Sequence, residues 1–108
     1  MQPKLNWQAY SAGDRNKSIT KIKEVISSNG AYVVNFSLFS DIALSLSIEI
    51  PEDKILSLFH ALSSIVEISE FDFDKINQES NKEWLIFLNV SFSRGKGDLR
   101  IEVPAAPG

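Results

Sequence analysis

Residues 31–51 constrain the fold of this chain more than any others. Ile42, Leu44, Leu46, Ile48 and Ile50 alternate without a slip with Ala43, Ser45, Ser47 and Glu49. That is the period of a strand with one apolar and one nearly polar face. The preceding run sets Tyr32, Val34, Phe36 and Leu38 against Ala31, Val33, Asn35 and Ser37, and Phe39, Ser40 and Asp41 supply a turn. The spacing therefore predicts one long antiparallel hairpin with a single greasy face. Such a face needs a cover, and the flanking segments offer two helices.

Before the hairpin, Leu5, Trp7 and Ala9 alternate with Asn6, Gln8 and Tyr10, which predicts a first strand. Ala12, Gly13 and Asp14 break it. Ile19, Ile22, Val25 and Ile26 then recur at helical spacing, with Lys17, Lys21, Lys23 and Glu24 opposite, so a helix is predicted over about 15–29. Asp14 or Asn16 suits its start, and Asn29 with Gly30 its end. After the hairpin, Pro51 fits a first helical turn with Glu52 and Asp53 at the positive end of the dipole. Ile55, Leu58, Phe59 and Leu62 form the core stripe of that second helix. A strand is expected within 65–73 and another at 84–92, where Trp84, Ile86, Leu88, Val90 and Phe92 alternate with Leu85, Phe87, Asn89 and Ser91. A glycine-rich turn at 94–98 and a short last strand at Leu99, Ile101 and Val103 complete the order.

The 108 residues make one domain, 1–108, of the α+β class. The expected fold is a ferredoxin-like β-α-β-β-α-β sandwich with an added C-terminal β-hairpin and both helices on one face of an antiparallel sheet. A 44% hydrophobic and 23% charged composition is that of a globular protein. No apolar run approaches the roughly 20 residues a bilayer demands, and residues 1–7 have no secretory h-region, so a cytoplasmic location is expected. The net charge of −3 with scattered basic residues argues against nucleic acid. The chain has no cysteine, which excludes disulfides and thiol chemistry.

No catalytic, metal or nucleotide motif stands out. His60 is the one histidine, set off the apolar stripe of its helix, and without a second histidine or a cysteine zinc is not expected. Glu67, Glu70, Asp72, Asp74 and Glu79 form an acidic stretch. Glu70, Asp72 and Asp74 would share one strand face, where they could hold a hard cation, although the stretch lacks the calcium-loop pattern. It also suits a charged edge that discourages strand-to-strand aggregation. Residues 94–98 look like a phosphate loop, but with no helix following they read better as a hairpin turn. The loop of most interest is 12–18, where Gly13, Asp14, Arg15, Asn16 and Lys17 meet a helix N-terminus. Unpaired amides and two cations there could hold a phosphate or carboxylate, and the simpler alternative is a turn, a cap and two surface charges. The sheet face away from the helices would expose Ala43, Ser45, Ser47, Glu49, Asn89 and Ser91 with Leu85, Phe87 and Tyr10. A half-apolar face of that kind implies a covering partner, for which a second copy is the first choice.

From Leu5 to about Phe73 the arrangement resembles the ACT and ACT-like regulatory domains, in which a β-α-β-β-α-β unit dimerises and binds a small effector, often an amino acid, near the loop after the first strand. The matching position is Ala12, Gly13, Asp14, Arg15 and Asn16, with Gly13 in place of the family's turn glycine. The loop has no proline where that family's Asp-x-Pro-Gly pattern has one, and the last hairpin is an addition. The resemblance implies a non-enzymatic regulatory or binding domain. It would be homodimeric through the open sheet face or an edge strand, would bind a small anionic effector at 13–17, and would carry no metal or cofactor. A structural subunit of a larger assembly is the alternative. A small enzyme would have to use Asp14, His60 or the carboxylates of Glu70, Asp72 and Asp74.

Overall fold

The computed structural model describes residues 2–93. Five strands and two helices follow one another as β1 (Lys4–Ser11), α1 (Arg15–Ser28), β2 (Tyr32–Ser40), β3 (Ala43–Pro51), α2 (Ile55–Ser63), β4 (Glu67–Ile68) and β5 (Glu83–Phe92). The β-α-β-β-α-β order thus runs from β1 to β4, and the expected α+β architecture is present. The expected turn at 94–98 and the strand at Leu99, Ile101 and Val103 lie outside the described residues.

The sheet order is β2-β3-β5-β1-β4. It is mixed where a wholly antiparallel sheet was expected, because β5 runs parallel to β1, with Trp7 opposite Leu88. The connection between β4 and β5 causes this by carrying the chain back to the end where β1 begins, so that the Leu85 amide donates to the Pro3 carbonyl at 2.9 Å. As a result β5 is bonded on both sides, to β1 and to β3. It is the central strand of the five.

Period-two burial holds along the sheet centre. Leu44, Leu46, Ile48 and Ile50 of β3 and Ile86, Leu88, Val90 and Phe92 of β5 are buried with Trp7 and Ala9 of β1. Ile22 and Ile26 of α1 and Ile55, Leu58, Phe59 and Leu62 of α2 close over that face in one cluster. The helix ends follow their chemistry. Asp14 caps α1 by accepting from the Lys17 amide at 3.0 Å, and Gly30 takes the left-handed φ of 76° after its end, where an L side chain would be strained. Asn29 ties the two helices together, accepting from the Ser57 hydroxyl at 2.5 Å.

Two details depart from the simple pattern. A bulge between Val33 and Asn35 shifts the alternation of β2, so that Val33, opposite Ile48, joins Phe36 and Leu38 on the helix face. The strand expected within 65–73 is reduced to Glu67 and Ile68, after which Asp72 opens a short 3-10 turn by accepting from the Asp74 amide at 3.0 Å. Acidic side chains at every second position keep one side of that segment in solvent, while Phe71 packs against the core.

Candidate functional site

The loop from β1 to α1 lines an open cleft of about 550 Å³ between the start of α1 and the end of α2. Gly13, Asp14 and Lys17 lie in its wall, joined by Ser18 and Lys21 one turn further along α1. Ser63, Ser64, Ile65, Val66 and Glu67 form the opposite side. Of the five residues expected to bind a ligand, Arg15 and Asn16 are not among the lining. Helical spacing from Lys17 is enough to mark Lys21, whereas no local signal marks the Ser63 to Glu67 wall, which tertiary packing of the α2 C-terminus supplies.

Much of the loop's hydrogen bonding is internal. The Gly13 amide donates to the Ser11 Oγ at 3.3 Å, and that buried hydroxyl shares a 2.6 Å bond with the Ser18 Oγ. The Lys17 amide is taken by Asp14, and the Ser18 amide by the Asp14 carbonyl at 2.9 Å. Gly13 has ordinary φ, and a Cβ built on it would meet nothing nearer than the Ser18 Oγ at 3.7 Å. The turn therefore does not depend on glycine. The α1 wall carries two ammonium groups beside the positive end of a helix, offset by the Asp14 carboxylate. The far wall carries Glu67 and the negative end of α2, where the Ser63 and Ser64 hydroxyls donate back to the Phe59 and Ala61 carbonyls at 2.8 and 2.7 Å. The cleft is thus electrically two-sided.

The other titratable residues singled out are not gathered here. His60 lies against Phe59 and stacks on Phe73, with ring centroids 6.3 Å apart. Glu70, Asp72 and Asp74 sit beyond β4, outside the cleft lining. Among the described residues no group of three side chains is placed to hold a metal ion.

Glu52 was expected only to sit at a helix dipole, yet it is a buried carboxylate. Its Oε2 accepts from the Asn77 amide at 2.7 Å, and its own amide donates to the Lys82 carbonyl at 2.8 Å. It therefore pins the β4 to β5 connection to the start of α2. The Asn77 bond holds the carboxyl below the usual carboxylate range against the opposing effect of burial, helped by the Ser80 hydroxyl, the Trp84 indole and the Lys82 ammonium. The Trp84 Nε1 is near enough to favour the charge without reaching hydrogen-bond geometry. No sequence signal marks this clamp, because an acid after Pro51 looks like any first-turn acid.

Compared with known proteins, the chain matches no family model, no curated protein and no solved structure. No helix among the described residues is long and apolar enough to cross a membrane.

Proposed function

We propose that this chain is a small non-enzymatic binding or regulatory domain of the cytoplasm, homodimeric, which takes a small anionic effector in the cleft between α1 and α2. The observation that carries the reading is the coincidence of the cleft with the loop 12–18, so that Gly13, Asp14 and Lys17 share one wall with Lys21. A carboxylate or phosphate meets the two lysines and the α1 N-terminus. The opposite wall, with Glu67 and the α2 C-terminus, suits a donor group on the same ligand. An ACT-like domain would place its effector beside the corresponding loop. The enzyme alternative is weaker because Asp14 lines this cleft while His60, Glu70, Asp72 and Asp74 do not.

A thermal-shift screen of amino acids and phosphorylated metabolites tests this reading. A ligand of the cleft raises the melting midpoint with concentration, and the rise is lost in Lys17→Ala and Lys21→Ala but kept in Arg15→Ala. No shift with any of these compounds, or a shift indifferent to both lysines, contradicts it. A second reading, an interaction subunit, is favoured by the β2 edge, which no other described residue pairs with on its outer side.

A further inference from the structure

Most of the apolar surface left uncovered lies along one edge of the sheet. Of the eight large hydrophobic side chains exposed among the described residues, six fall within 32–42: Tyr32, Val33, Val34, Leu38, Phe39 and Ile42. Tyr32 and Phe39 are 70% and 71% exposed. The helix layer ends just short of β2, where the Lys23 ammonium sits 4.4 Å from the centre of the Phe36 ring. No residue in 31–40 is charged, so the edge has no charged guard against strand pairing, and its two bulges leave 35–38 as the regular stretch. Among the described residues the outer side of β2 has no neighbouring strand.

We propose that a second copy of the chain docks on this edge, β2 against β2 and antiparallel, about a two-fold axis through Ser37. The proposal rests on the homodimer reading above and commits it to one edge. The Phe36 amide donates to its neighbour's Asn35 Oδ1 at 3.0 Å, which places it on the free edge. Amides of an antiparallel strand alternate between its two edges, so Leu38 presents its own there as well. Phe36 and Leu38 lie opposite Leu46 and Leu44 of β3, so their side chains share the helix face. About an axis through Ser37, each Phe36 faces the partner's Leu38. The two residues exchange backbone bonds on both sides of the axis, and helices of both copies stay on one face of a continuous sheet.

The exposed apolar residues of the strand flank the same point, with Tyr32, Val33 and Val34 on one side and Leu38 and Phe39 on the other. Bulges after Val33 and after Leu38 end the regular ladder, so backbone pairing is confined to 36–38 and the flanks meet through side chains alone. Docking exchanges the Asn35 bond to the Phe36 amide for one to a carbonyl. Aromatic side chains offer roughly 150–250 Å² each. Scaled by exposure, the six residues leave on the order of 500 Å² of apolar surface per copy, most of the ~800 Å² each partner buries in a standard interface.

The chain lacks cysteine, so single introduced cysteines report position cleanly. Ser37→Cys places two thiols on the axis at a separation of about 4.5 Å between Cα atoms, within disulfide reach. Ser45→Cys on the open face and Glu67→Cys on the β4 edge are the comparison sites. The full-length chain should sediment as a dimer, and mild oxidation should link Ser37→Cys but neither of the others. A dimer that links at 45 or 67, or at none of the three, overturns the edge assignment while leaving the dimer. A chain that sediments as a monomer throughout overturns both.

Discussion

The two edges of the sheet are built in opposite ways from similar material. At the β4 edge only Glu67 and Ile68 pair with β1, and Glu70, Asp72 and Asp74 follow at once. Of the aromatic residues nearby, Trp7 and Phe59 are buried and Phe71 packs against them. Trp7, Phe59, Phe71 and Phe73 pack with ring centroids 4.5 to 5.4 Å apart where they touch. At the β2 edge the strand is nine residues long, without charge, and its aromatic residues Tyr32 and Phe39 face out. A short acidic edge repels further strands, and a long neutral one invites them. The contrast shows that, among the described residues, apolar packing is closed at one edge and left open at the other.

Removing the inward aromatic packing breaks the comparison most severely. Trp7→Ala should cost about 3–5 kcal/mol in chemical denaturation, because the side chain is fully buried. Trp7→Phe should cost far less, since among the described residues the Trp7 Nε1 has no hydrogen-bond partner to lose. Equal losses would mean that the indole nitrogen is satisfied after all.

Glu52 holds the connection that follows the acidic edge, and its loss comes next. Glu52→Ala leaves the Asn77 amide without its charged acceptor and should cost about 1.5–3 kcal/mol at neutral pH. The carboxyl pKa is lower folded than unfolded. The unfolded chain therefore binds its proton first as pH falls, and the stabilisation is complete above the ordinary carboxylate pKa of about 4.3. It fades as pH drops through the lowered folded value. Stability curves of the two forms should accordingly converge in acid and separate above it. Curves that stay parallel would remove the ionised clamp.

Smaller still is the expected effect of Gly13→Ala, which denaturation should show to be neutral or stabilising by about 0.4–1 kcal/mol, because the backbone there is ordinary and the Cβ has room. Gly30→Ala should instead destabilise, its φ being left-handed. At the outward edge, Phe39→Ser should change monomer stability by no more than about 0.5 kcal/mol while weakening self-association in sedimentation. A large loss of monomer stability there would show that Phe39 already packs within its own chain.

The parts legible in the sequence are those governed by local period. The alternation of β3 and β5 and the apolar stripes of both helices gave the core, and Asp14, Gly13 and Lys17 marked one wall of the cleft. What escaped was set by contacts distant in sequence. Nothing local says that Glu52 meets Asn77, that β5 enters between β1 and β3, or that the end of α2 closes the cleft. The bulge at Val34 is hidden for another reason. A run of Tyr32, Val33, Val34 is apolar on either face, so a one-residue slip leaves the pattern unchanged.

Residue-resolved amide hydrogen exchange of the full-length chain over a dilution series tests the unfinished edge most directly. Phe36 and Leu38 should be protected at high concentration and lose that protection together on dilution, while Ile86 and Leu88 in the central strand stay protected throughout. Exchange at Phe36 and Leu38 that is fast at every concentration, or protected to the same degree at every concentration, would contradict the docking of a second copy on β2.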